Sequence, residues 1–343
     1  MATPSLEYRS LFLFFGYLSL ISFLSLVCCR TIYARYHARQ KRNDWATPHR
    51  RSQFLLFAVL AALSLGSTWY YMINLFIYSY KQWATSPEGR LYSVTETPLL
   101  TRMGLWLRRT YIFQEAWETV AETPARFWWS GQIFGWTIGW SLFLGLTGRR
   151  YHIPYVWVYM LVAQAVSVSF AANLFFAAIT VSRQPNKKDI AFAWCPPLLY
   201  ELLPVAISLL DTLAVPIFAY QKRFMLILLA PHFLVFIPCI LRPRSSSVAP
   251  KKAQIGYAAR RYTVFVQWIA AVSVALQVYL TILVLRDFGS DISYSEVARQ
   301  LLETVYAHPA CSSVSWDVIM CTVSAFAWAL VHGFDTSQML GGK

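Results

Sequence analysis

The chain is expected to fold as an all-α integral membrane protein of about eight transmembrane helices, with an interfacial helix between the second and third. Two observations carry this. Of its 343 residues, 57% are hydrophobic and only 13% are charged, where a soluble protein carries about 25% charge. Apolar stretches of spanning length, about 20 residues, also recur from one end of the chain to the other.

The expected spans are about 10–29, 53–80, 127–147, 154–181, 196–220, 224–241, 262–285 and 313–332. Six of them (all but the fifth and the last) are free of charge. The first is too long for a secretory h-region and lacks an A-x-A cleavage site, so it reads as a retained helix. The fifth lies in the stretch from Ile190 to Gln221, whose only charged residues are Glu201 and Asp211, with Pro204 and Pro216 on either side of Asp211. The sixth is short and holds Pro231 and Pro238, and the last holds one acid, Asp317. No internal repeat is visible, and the spans form a single polytopic domain over 1–343.

Two connections stand out. Residues 81–126 form the longest, and Thr101–Ala121 mixes apolar and charged residues as an interfacial helix does. Arg108, Glu115, Glu118, Glu122 and Arg126 recur at spacings of three, four or seven and share a face. They read either as a solvated stripe or as a polar lid over a membrane cavity. Residues 242–261, rich in Ser, Pro and Lys, read as a flexible basic loop. A short helix is expected in SYSEVARQLLETVYAH, capped at Ser293 or Ser295.

The formal charge of +14 indicates loops that meet anionic headgroups, so membrane lipid is the expected partner and nucleic acid is not. Seven basic residues cluster in Arg30–Arg51 and six in Arg242–Arg261. Eight crossings put these clusters on opposite sides, and the positive-inside rule then gives no orientation. Six cysteines show no C-x-x-C pair and no zinc spacing.

Asp211 is the most informative residue. A carboxylate near the middle of a span is costly to hold ionised, so it is neutral, paired or turned toward a polar cavity. The two prolines can open the helix toward such a cavity. Asp211 is the first candidate proton donor and Glu201 the second. They are ten residues apart, about 15 Å along a helix, too far to form one dyad. Glu115 and Glu118 are the alternatives if the interfacial segment covers a cavity. The plain alternative is a carboxylate that pins two helices together. Trp129, Trp136 and Trp140 share a face of the third span; most such rings belong to interfacial belts and packing, but an aromatic wall also stabilises a carbocation. Gln132, Asn173, His232 and the few other polar residues within spans are mostly interhelical hydrogen-bonding groups.

Several chemistries are absent from the sequence. No DDxxD or NDxxD motif is available to hold Mg²⁺ against a diphosphate, no HExxH, and no Walker loop or GxSxG elbow. Neither a metal nor any other cofactor is expected. Acid–base chemistry on an apolar substrate, transport, and a structural role remain.

Several segments resemble one family. They are Arg126–Gln132 (RFWWSGQ), Trp140–Gly145 (WSLFLG), Gly148–Arg150, Trp157–Met160 (WVYM) with Gln164, and Ser169–Phe176 (SFAANLFF). Ser79–Trp83 and Glu115–Trp117 add to them. Together they resemble the fungal membrane-bound terpene cyclases of meroterpenoid pathways, of the ascofuranone and macrophorin cyclase type. The resemblance runs from the second span to about the fifth. Where the family pattern has Trp-Thr/Ser-Gln-Gln, this chain has Ser130, Gly131 and Gln132. The resemblance implies metal-independent cyclisation of a farnesyl or longer prenyl chain on a meroterpenoid precursor, triggered by protonating an alkene or epoxide, in the fungal endoplasmic reticulum. An apolar prenylated small molecule is then the second partner, and Trp128, Trp129, Gln132, Trp136 and Asn173 are expected to contact it. The alternative is a multipass transporter or receptor for a small apolar molecule. The oligomeric state is not legible.

Overall fold

A computed structural model describes residues 7–42, 48–92, 97–185, 189, 198–241, 252–289 and 292–332. Every regular element among them is helical. In order they are α1 (Tyr8–Arg42), α2 (Pro48–Thr85), α3 (Pro87–Tyr92), α4 (Leu99–Arg109), α5 (Ile112–Ala121), α6 (Pro124–Arg150) and α7 (Val156–Ala165). Then follow α8 (Val168–Val181), α9 (Leu198–Phe218), α10 (Phe224–Leu234), α11 (Ile237–Ile240), α12 (Lys252–Phe288), α13 (Tyr294–Thr304) and α14 (Pro309–Val331).

Among the described residues five helices are long and apolar enough to cross a membrane: Tyr8–Lys41, His49–Thr85, Leu199–Phe218, Gly256–Phe288 and Pro309–Val331. They fall on the expected first, second, fifth, seventh and last spans. The third corresponds to α6, whose 27 residues include many Trp, Gly, Ser and Thr and are less apolar. The sixth is divided into α10 and α11 near its prolines. Part of the basic loop, 252–261, is helical and opens α12; its remainder, 242–251, and residues 196–197 of the fifth span lie outside the described residues. The expected helix over Thr101–Ala121 is two helices, α4 and α5, separated at extended Thr110. Ser293 caps α13 by accepting from the Glu296 backbone N–H at 3.3 Å.

The expected fourth span, 154–181, is not one crossing. The rings of Tyr159 on α7 and Phe175 on α8 lie 5.3 Å apart. Sixteen residues of straight helix would separate them by about 24 Å. The chain therefore doubles back at Val166–Ser167 and forms a helical hairpin. Both of its feet are at one end of the bundle, because the Arg35 guanidinium donates to the Ser182 hydroxyl after α8 and to the His152 carbonyl before α7. Apolar periodicity is the same whether a chain crosses or turns back, so the sequence reads as one long stretch.

The hairpin's tip is pinned on two sides. Tyr17 of α1 donates to the Ala165 carbonyl at 2.6 Å. Asp317 of α14 accepts from the Val168 N–H at 2.9 Å, the Ser169 N–H at 2.8 Å and the Ser167 hydroxyl at 2.9 Å. These bonds satisfy the otherwise unpaired first amides of α8.

Basic helix ends collect where the hairpin's feet stand. Arg149, at the end of α6, meets Glu201 near the start of α9 at 2.6 Å, and the Tyr262 hydroxyl of α12 donates to the same carboxylate at 2.7 Å. The ends of α1, α6 and α8 and the starts of α9 and α12 therefore share one end of the bundle. Helices α4, α5 and α13 lie at the other, where Trp129 donates to the Leu301 carbonyl at 2.9 Å.

Close packing at the basic end depends on Gly145. A Cβ built there would sit 2.5 Å from the Pro238 carbonyl oxygen of α11. Gly145→Ala is expected to destabilise the protein by about 1–3 kcal/mol through overpacking. Thermal unfolding in detergent would show it, and Gly139→Ala, with open space around the added methyl, is the control.

Candidate functional site

A cavity of about 380 Å³ lies at the hairpin's tip, within the roughly 300–1,000 Å³ range of small-molecule sites. Residues from α1, α2, α5, α6, the α7–α8 turn, α10 and α14 form its wall. Aromatic and aliphatic groups dominate: Phe113 and Trp117 from α5, Phe134 and Ile138 from α6, Met72 and Leu75 from α2.

Most polar groups in the wall are already engaged. Thr68 donates to the Ser64 carbonyl at 2.7 Å, Thr137 to the Ile133 carbonyl at 2.7 Å, and Ser313 to the Thr68 carbonyl at 3.1 Å. Asp317, His232 and Gln164 keep capacity. Asp317 Oδ1 accepts two of the hairpin's bonds and Oδ2 one, so Oδ2 is the oxygen with room for a proton or a further donor. His232 Nδ1 lies 2.6 Å from the Leu228 carbonyl. A carbonyl only accepts, so in the neutral ring Nδ1 carries the proton and Nε2 the lone pair. The rings of Trp117 and Phe134 meet this imidazole nearly perpendicularly, with centroids at 5.7 and 5.9 Å. The Gln164 amide has only a 3.6 Å contact with the Met160 sulfur.

The residues singled out from sequence occupy other places. Asp211 is half-buried on the flank of α9, whose inner face is Val205, Ser208, Leu209, Thr212 and Val215. No described residue of α9 lines the cavity, so the fifth expected span and its Asp211 stand apart from the wall. Glu201 is fully buried, but in the ion pair with Arg149 at the basic end. Glu115 accepts from the Tyr111 N–H at 3.0 Å, Glu118 from the Gln114 amide at 2.9 Å, and Glu122 pairs with Arg126. The segment does cover the cavity, but with its apolar face: Phe113, Ala116, Trp117 and Val120 line the wall while the acids do not.

The expected contact residues are also outside the wall. Trp128 donates to the Thr281 hydroxyl at 2.9 Å, Trp129 to Leu301, and the Gln132 amide to the Trp128 carbonyl at 2.9 Å. Trp136 lies on that same flank of α6, whereas Ile133, Phe134, Thr137 and Ile138 form the cavity face. Asn173 is fully buried and its amide donates to the Ser64 and Ser324 hydroxyls at 3.2 and 2.7 Å, joining α2, α8 and α14. Sequence reading passed over Asp317, His232, Trp117 and Tyr17. The available signal was Asp317, the single acid of its span. Among the described residues no three His, Cys, Asp or Glu converge as a metal site would require.

Comparison of the chain with family models, with curated proteins and with solved structures yields no match. Among the described residues, fold and site define an all-helical protein with several membrane-length apolar helices and an aromatic-lined cavity.

Proposed function

We propose that the cavity is the reaction chamber of a terpene cyclase, which folds a prenyl chain, farnesyl or similar, of a meroterpenoid precursor and closes it by protonation. One observation carries the reading: among the described residues a single carboxyl group, Asp317, stands in a mainly apolar and aromatic cavity wall whose other polar groups are neutral side chains. The resemblance of Arg126–Gln132 and Ser169–Phe176 to the fungal membrane-bound cyclases supports it.

In this mechanism the Asp317 Oδ2–H protonates a terminal alkene carbon, or an epoxide oxygen whose C–O bond then breaks. Negative charge appears on Asp317 as the proton leaves, and the Ser167 hydroxyl and the Val168 and Ser169 amides already point at it. Neighbouring double bonds attack the cation in turn. The faces of Trp117, Phe113 and Phe134 stabilise the moving charge, and the wall holds the polyene in reactive register. His232 Nε2 takes the final proton. The apolar wall limits quenching by water.

In a bilayer we read α1, α2, α6, α9, α10–α11, α12 and α14 as crossings, α7–α8 as a re-entrant hairpin, and α4–α5 as interfacial. Removing one crossing places both basic clusters on the same side. The positive-inside rule then makes that side cytoplasmic, in the endoplasmic reticulum membrane.

The experiment is to feed microsomes containing the protein a farnesylated phenol and, separately, its terminal epoxide. A cyclic isomer of unchanged mass is expected from one of them, with and without EDTA. Loss of activity with EDTA and its return with Mg²⁺ would overturn the protonation mechanism. A second reading, transport of a small apolar molecule, has the broken hairpin in its favour, since unwound helices line sites in transporters. Uptake of unaltered substrate into sealed vesicles would favour it.

A further inference from the structure

A second cavity, of about 450 Å³, opens at the basic end beside the hairpin's feet. Its wall brings together Arg35 and Arg39 of α1, Arg150 at the end of α6, and Arg183 after α8, with His152 and Asp189. Four arginines thus line the cavity with one acid, Asp189, which contacts His152 Nε2 at 3.0 Å, among the described residues.

The arrangement is built. Arg35 and Arg39 are one helical turn apart, and both are held against the end of α8: Arg35 by Ser182 and His152, Arg39 through Nε at 2.8 Å from the Val181 carbonyl. These bonds fix the planar forks and leave Arg35 with N–H groups for a further acceptor. Arg150 is only 2% exposed, so its charge acts where salt screens least. Converging guanidiniums match the paired oxygens of a phosphate far better than a single ammonium does. The cavity also lies at the end of α1, a helix of membrane length, where a bilayer crossed by that helix would place its headgroups.

We infer that this cavity binds a phosphate group, carried either by an anionic phospholipid headgroup or by a free diphosphate. The inference is independent of the cyclase reading and rests on charge and geometry at the opposite end of the hairpin from the reaction chamber. The competing role is purely structural, with Arg35 and Arg39 closing the end of α8; that role gives stability loss on mutation without any change in ligand binding.

The test is native mass spectrometry of the full-length protein, titrated in parallel with phosphatidic acid, phosphatidylcholine and inorganic pyrophosphate. Phosphatidic acid or pyrophosphate is expected to bind at least about tenfold more tightly than phosphatidylcholine, and Arg35→Gln and Arg183→Gln are each expected to weaken that binding about tenfold, as loss of a charge-assisted bond does. Arg299→Gln, on α13 at the other end, is expected to leave it unchanged. Tight phosphatidic acid binding that pyrophosphate does not displace assigns the site to lipid. Pyrophosphate binding without preference for phosphatidic acid assigns it to a free diphosphate. Arg183 is exposed, so its variant keeps the test valid should Arg35→Gln fail to fold. Equal binding of all three ligands, or undiminished binding in Arg183→Gln, overturns the inference.

Discussion

Asp317→Asn is expected to reduce cyclisation by about 10²–10⁴-fold, the usual contribution of a general acid. The variant retains the shape of the side chain but loses the transferable proton. It also disturbs the hairpin, because an amide N–H₂ then faces one of the donors that Asp317 now accepts from. An opposed pair of donors costs about 1–3 kcal/mol, so stability must be measured beside activity. Two further variants separate the effects. Ser167→Ala removes one donor and the N-cap of α8, worth about 1 kcal/mol, yet keeps the acid, and is expected to retain measurable turnover. Asp317→Glu keeps the acid at a shifted position and is expected to retain part of the activity. Near-normal turnover in a folded Asp317→Asn protein would remove Asp317 from the mechanism.

The largest stability effect is expected at the basic end. Glu201 is fully buried, with Arg149 at 2.6 Å and the Tyr262 hydroxyl at 2.7 Å. Glu201→Ala leaves the Arg149 guanidinium in the interior without this carboxylate, a change that costs about 3–5 kcal/mol. Replacing both partners by leucine removes both desolvated charges and is expected to cost less than the single change. Tyr262→Phe deletes one hydrogen bond and is expected to cost about 1 kcal/mol. Unfolding temperatures of the four proteins in one detergent check the ranking. A double variant less stable than Glu201→Ala would show that Arg149 has a larger role elsewhere, for instance through its 3.4 Å bond to the Pro238 carbonyl.

The helical, membrane-length character of the chain was legible from sequence because it depends on composition and on runs of apolar residues, both local properties. The positions of α1, α2, α12 and α14 follow from it, as does the Ser293 cap, which needs only a short polar side chain ahead of a helix. The site was much less legible. Asp317 is the single acid of α14, while Asp211 shares α9 with Glu201, and nothing local says which of these acids faces a cavity. Asp317 reaches the cavity because α14 packs beside a hairpin tip whose amides require an acceptor. Asp211 does not, because α9 turns other residues inward. The spacing of the α6 tryptophans is local, but their partners are set by packing: Trp128 meets α12, Trp129 meets α13 and Trp140 meets Phe175 of α8. The sequence by itself determined which segments are apolar and helical, since each carries its own backbone hydrogen bonds. Only the tertiary structure decided that one of them folds back on itself, because crossing and returning share one apolar periodicity and differ in nonlocal contacts: α7 against α8, and the bonds at the tip and at the feet.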